Sequence, residues 1–115
     1  MAQQGSQADP VVGVSENGGV VVVRLAGELD LYNAPVLRKA FAEVAGRVRD
    51  RLVVDLSEVT FVDSTILGAL VEARSALGGD TFALAAPGLE VRRALEVSGL
   101  DRHFAVYETV SGALA

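Results

Sequence analysis

The first patterned stretch, Val11 to Val14, is a short apolar run. It ends at Ser15-Glu16-Asn17-Gly18-Gly19, a polar, glycine-rich stretch suited to a hairpin turn. Val20 to Ala26 then reads as a second strand, with Val21, Val23 and Leu25 on one face and Arg24 on the other. From Ala34 to Val48 the period lengthens, and Leu37, Phe41, Val44 and Val48 form one stripe, which predicts a helix. Pro35 suits its first turn, Asn33 is a candidate cap, and Gly46 weakens its end. Leu52 to Leu56 is a short apolar run closed by polar residues, the pattern of an interior strand buried on both faces. Ser57 to Val62 is read as the passage to a second helix, which starts at Asp63 or Ser64 and runs to about Leu77 before Gly78-Gly79. That helix is apolar almost all round, so it should be packed from more than one side.

Thr81 to Ala85 reads as another strand, and Pro87-Gly88 opens a third helix that Gly99 stops. Val91, Ala94 and Leu95 face inward from it, while Arg92, Arg93 and Glu96 face out. Phe104 to Tyr107 predicts a last short strand, and Thr109 onward a short terminal helix. The order ββαβαβαβα predicts an α/β layer: a small mixed, mostly parallel sheet packed with about four helices. One domain over residues 11–115 is expected, preceded by a flexible tail over residues 1–10.

Composition narrows the chemistry. A chain of 115 residues, half of them hydrophobic, can bury one real core. There is no cysteine, which removes disulfides, thiolate metal sites and cysteine nucleophiles. His103 is the only histidine, so metal sites built on several histidines are excluded. No cofactor is implied. The net charge of −5 repels phosphate backbones and argues against direct nucleic-acid binding. No segment has the ~20 apolar residues needed to span a bilayer, and Met1 to Pro10 lacks the pattern of a signal peptide. A cytoplasmic location is expected.

Two stretches set acidic and hydroxyl side chains where loops leave strands: Gly27-Glu28-Leu29-Asp30, and Phe61-Val62-Asp63-Ser64-Thr65-Ile66-Leu67-Gly68. That edge of an open α/β sheet is the usual seat of function. Together with Leu37-Arg38, Asp55-Leu56 and Gly99-Leu100, these motifs resemble the STAS domain family, and within it the bacterial anti-sigma-factor antagonists. The resemblance spans residue 11 to the C-terminus. It implies a STAS fold and a partner switch in transcription regulation and stress response, not an enzyme. In that family the antagonist binds an anti-sigma factor that is also a serine kinase of the histidine-kinase-like ATPase type, and so frees a sigma factor. Phosphorylation of the serine after the family's aspartate ends the binding, and a phosphatase resets it. The matching serine is Ser64. Thr65, Asp63 and Asp30 match accessory positions near it, and the partner surface is expected around the start of the second helix and the loop carrying Gly27 to Asn33, with Glu28, Asp30, Ser64 and Ile66 in it. Ile66 stands where these antagonists most often have glycine, and its branched side chain is either buried under the helix start or alters partner fit.

From spacing alone Ser64 reads as a helix cap, Asp30 as a turn cap, Asp55 as a partner for backbone N–H groups and Glu28 as a surface charge. Arg92-Arg93 reads as a solvated face and His103 as a surface or packing residue. An alternative duty is a non-phosphorylated STAS binding subunit of a lipid-transport or signalling assembly. A hydrolase with Ser64 as nucleophile would need His103 as its base, and the Gly-x-Ser-x-Gly elbow is missing. Nothing in the sequence requires more than a monomer or a weak dimer.

Overall fold

Gly18 and Gly19 both take positive φ, 59° and 94°, the pair of left-handed residues that a two-residue hairpin turn requires. In the computed structural model, which describes residues 9–115, that turn joins β1 (Val11–Asn17) to β2 (Val20–Leu29) as an antiparallel pair. The hairpin is longer than its apolar run suggests: Ser15 to Asn17 belong to β1, not to the turn. Of the expected tail, residues 1–8 lie outside the described residues. Pro10 is buried, and its carbonyl accepts the Ala26 N–H at 2.9 Å, so the chain is already tied to the sheet there.

Each later strand is parallel to the one before it and is reached through a helix. The elements are α1 (Ala34–Ala45), β3 (Arg51–Val62), α2 (Ser64–Leu77), β4 (Phe82–Ala85), α3 (Leu89–Ser98), β5 (Ala105–Tyr107) and α4 (Val110–Leu114). Short 3-10 turns lie at Gly79–Thr81 and Leu100–Arg102. The sheet order is β1-β2-β3-β4-β5, which puts β3 at the centre. This is the predicted mixed, mostly parallel sheet with four helices.

One face of the sheet presents Val21, Val23, Leu25, Leu52, Val54, Leu56, Phe82 and Leu84 to the main core. Leu37, Phe41 and Val44 of α1, Ile66, Leu67 and Leu70 of α2, and Val91 and Leu95 of α3 close over it. The opposite face is smaller. Val22, Val53 and Ala85 pack there against Ala113 of α4, with Val20, Tyr107 and Val110 around them. Arg51 fastens that last helix: its Nη1 donates to the Ala113 carbonyl at 2.6 Å, and its guanidinium lies 5.5 Å from the centre of the Tyr107 ring.

Three expectations need correction. α1 ends at Ala45, with Gly46 as its C-cap; Val48 lies past the helix but still packs on the core. Gly27, Glu28 and Leu29 belong to β2 rather than to a loop. Most of all, β3 continues through Ser57 to Val62, where a loop was expected. Beyond Asp55 this strand pairs only with β2, and the register slips between Arg24 and Ala26 and again between Gly27 and Glu28. The slips break the two-residue alternation, so Leu56, Val59 and Val62 turn inward at steps of three. Asp55 is buried on the small face, and its Oδ1 accepts the Ser57 N–H at 3.0 Å.

Candidate functional site

Because α1, α2 and α3 each follow a strand of one parallel set, their N-termini all point to the same edge of the sheet. Each brings partial positive charge there from unpaired N–H groups. Ser64 is the first residue of α2 and follows the central strand, so it stands in the middle of that edge.

The helix cap is Asp63, not Ser64. Asp63 is extended at φ −102° and ψ 179°, and its Oδ1 accepts the Ile66 N–H at 3.0 Å. Its Oδ2 accepts the Leu31 N–H, also at 3.0 Å, and its own N–H donates to the Leu29 carbonyl at 3.2 Å. One aspartate thus starts α2 and ties it to the loop after β2. With the cap supplied by Asp63, the Ser64 side chain is exposed. Thr65 is half-buried beside it.

The loop from Asp30 to Asn33 holds itself rigid. Asp30 Oδ1 accepts the Tyr32 N–H at 3.0 Å, and the Asp30 N–H donates to Asn33 Oδ1 at 2.8 Å. Asn33 Nδ2 donates to the Glu28 carbonyl at 3.0 Å. Asn33 occupies the cap position of α1 but spends its side chain on this loop rather than on the helix N–H groups. Leu31 and Tyr32 are consecutive, and their N–H groups go to Asp63 and Asp30 in turn. The two carboxylates matched from the sequence are therefore brought onto consecutive amides of one loop, with Ser64 the residue after Asp63. Glu28 is exposed at the end of β2, opposite Phe61 of β3.

Ile66, expected in the partner surface, is buried instead. Its relative exposure is 0 %, and it is part of the main core, so it cannot touch a partner. At the third position of α2 the side chain points down onto the sheet while Ser64 points out. In the segment from Gly27 to Asn33 the apolar side chains of Leu31 and Tyr32 are exposed, at 56 % and 75 %, and Phe61 of β3 is exposed at 49 %. Leu89, at the start of α3, lies on the same edge. Leu31-Tyr32 sits between Asp30 and Pro35, outside any helix or strand that could bury it.

His103 is elsewhere. Its Nε2 lies 3.4 Å from Nη1 of Arg74, near the far end of α2. Ten residues of helix, about 15 Å, separate Arg74 from Ser64. A Ser64–His103 nucleophile pair is therefore not assembled. Among the described residues, no group of three or more His, Cys, Asp or Glu is placed to hold a metal, and no helix is long and apolar enough to cross a membrane.

The comparisons agree with this architecture. The STAS domain family model matches residues 12–113. The anti-sigma-F factor antagonist RsfB of Mycobacterium tuberculosis is 36 % identical over 104 residues, covering 90 % of this chain and 85 % of that protein. The crystal structure of an anti-sigma factor antagonist from Mycobacterium paratuberculosis superposes with a TM-score of 0.84 at 37 % identity, covering 95 % of each chain. Unphosphorylated SpoIIAA, at 22 % identity and a TM-score of 0.75 over 89 % of this chain and 91 % of its own, shares the fold. With a matching family model over nearly its whole described length, this chain belongs to the STAS domain family.

Proposed function

We propose that this chain is an anti-sigma-factor antagonist that acts by binding and is switched off by phosphorylation of Ser64. The observation that carries the reading is the state of Ser64: exposed, relieved of capping by Asp63, and set at the centre of an edge where Leu31, Tyr32 and Phe61 stand in solvent. The names of the relatives from the two mycobacteria support the same reading. Exposed aromatic and aliphatic side chains around a polar centre are what a docking surface offers. The partner is an anti-sigma factor that is also a serine kinase of the histidine-kinase-like ATPase type, a phosphatase reverses the modification, and all three work in the cytoplasm.

The physics of the switch is local. A phosphate on Ser64 adds about −1.5 to −2 charges at neutral pH. The α2 N-terminus favours that charge by roughly 0.3–1 kcal/mol, so the fold should tolerate it. Asp30 and Asp63 beside it repel it, and a partner seated on Leu31, Tyr32 and Phe61 would have to bury or avoid a hydrated dianion. A loss of about 3 kcal/mol there lowers affinity about a hundredfold. The alternative, a non-phosphorylated STAS subunit of a lipid-transport or signalling assembly, drew on Ile66 as an altered partner contact. Burial of Ile66 removes that support.

The test is peptide mass spectrometry of the protein from its own cells under growth and stress, alongside Ser64→Ala, with affinity for the cognate anti-sigma factor measured on both forms. Phosphate on Ser64, absent from the variant and weakening the complex, is the expected result. Phosphate found only elsewhere, or a phosphorylated Ser64 that leaves affinity unchanged, overturns the reading.

A further inference from the structure

β1 ends at Asn17, and the turn after it needs a left-handed first residue, which Gly18 supplies at φ 59°. The corner therefore reads Asn-Gly, and both residues are exposed. A Cβ at Gly18 would meet nothing within 4 Å, so the Gly18 nitrogen is open to approach. The chain has a second asparagine, Asn33, and the structure treats the two differently. Both amide atoms of Asn33 are engaged, Oδ1 by the Asp30 N–H at 2.8 Å and Nδ2 by the Glu28 carbonyl at 3.0 Å. The N–H of the next residue, Ala34, donates to the Asp30 carbonyl at 3.1 Å. Among the described residues no hydrogen bond engages the Asn17 amide or the Gly18 N–H.

We propose that Asn17 is a self-modifying site, which loses its amide to give aspartate and isoaspartate at that position. Hydroxide takes the Gly18 amide proton, the nitrogen bonds to Asn17 Cγ, and the Cγ–Nδ2 bond breaks with loss of ammonia. Water then opens the cyclic imide at either carbonyl, so the net exchange is water in and ammonia out. The strand gates this chemistry. An extended Asn17 holds the Gly18 nitrogen away from Cγ, so ring closure waits on opening of the Asn17–Val20 pair that ends the ladder. The product adds one negative charge to a net −5, in a corner that already holds Glu16 and Asp50. Isoaspartate also lengthens the main chain before Gly18, which a two-residue turn cannot absorb in register. The Gly19 carbonyl accepts the Arg49 and Asp50 N–H groups at 3.1 and 3.0 Å, so this corner is tied to the chain entering β3, and the tie loosens with the turn. The corner lies at the end of β2 far from Ser64, so the proposal stands apart from the function proposed above.

The full chain, held at mildly alkaline pH and sampled over days, tests it by peptide mass spectrometry and anion exchange. An isoaspartyl methyltransferase with labelled S-adenosylmethionine reports the isoaspartate. Conversion is expected in the Asn17 peptide and not at Asn33, with a new species one negative charge more acidic. It should run faster in urea, where the ladder is open. Asn17→Gln should remove both the label and the new species while circular dichroism stays native. Equal conversion at Asn17 and Asn33, or an Asn17 that stays intact in the folded chain while it converts in urea, overturns the proposal. Equal rates in the folded and unfolded chain overturn the gating by the strand.

Discussion

The carboxylate of Asp63 meets the backbone N–H of Leu31 at 3.0 Å across 32 residues of sequence, while its other oxygen caps its own helix at Ile66. One side chain therefore sets both the start of α2 and the position of the loop that carries Leu31 and Tyr32. Asp63→Ala should cost about 1–2 kcal/mol for the cap alone. It should also speed hydrogen exchange at two separated amides, Ile66 and Leu31, measured by NMR alongside urea denaturation. Faster exchange at Ile66 alone would show that the loop holds without the aspartate.

Ser64→Ala should leave stability within about 0.5 kcal/mol of the parent, since the side chain is exposed and the cap lies one residue earlier. Denaturation midpoints of the two proteins measure it. A loss near 1 kcal/mol would mean that Ser64 shares in the capping.

Ile66→Val should cost about 0.5–1.5 kcal/mol and leave partner affinity unchanged, because the side chain is fully buried. Ile66→Gly should cost more than about 3 kcal/mol, the cavity and the helix penalty adding together. Urea denaturation paired with a binding isotherm separates the two effects.

Leu31→Ala, Tyr32→Ala and Phe61→Ala should each lower affinity for the anti-sigma factor by about 1 kcal/mol or more, or at least about fivefold, with little change in stability. Calorimetric titration and thermal melts of the same samples check both halves. Val97→Ala, at the other end of α3 and 84 % exposed, serves as the control that should change neither.

Arg38 on α1 reaches Glu72 on α2 by two hydrogen bonds, 3.0 and 3.3 Å. The hydrogen bond and the charge of Arg38 hold the Glu72 carboxyl below its ordinary value of 4.5. The folded chain thus binds this proton less readily than the unfolded chain. The stability from the pair is present above about pH 4.5 and fades as pH falls through the lowered folded value. Glu72→Gln should flatten that part of the stability–pH curve and leave stability near pH 7 almost unchanged, since both groups are solvent-exposed.

The helices and buried strands were legible because their side chains obey one period each: Leu37, Phe41 and Val44 in α1, or Leu52 to Leu56 in β3. Ser57 to Val62 was not legible as strand. Register slips against β2 put Leu56, Val59 and Val62 inward at steps of three, a spacing that belongs to neither regular pattern. The site was legible by residue type and motif but not by role. Asp63 and Ser64 are adjacent and both are good caps, so only the backbone, extended at Asp63, shows which one does the work. The pairing of Asp30 with Asp63 through consecutive amides depends on tertiary contact and leaves no mark on spacing. Ile66 stayed open between burial under the helix start and an altered partner fit, because the usual glycine there is silent about which way a larger side chain would point.

The hydrogen bonds that hold the loop from Asp30 to Asn33 make no use of the Ser64 hydroxyl. A group attached to that oxygen would therefore break none of these bonds directly. Such a protein would keep no conformational memory of having been modified: its two states would share one shape and differ only in what the surface repels. The lifetime of the signal would then belong to the covalent bond and to the enzymes that make and break it, with no slow relaxation of the chain to delay a reset.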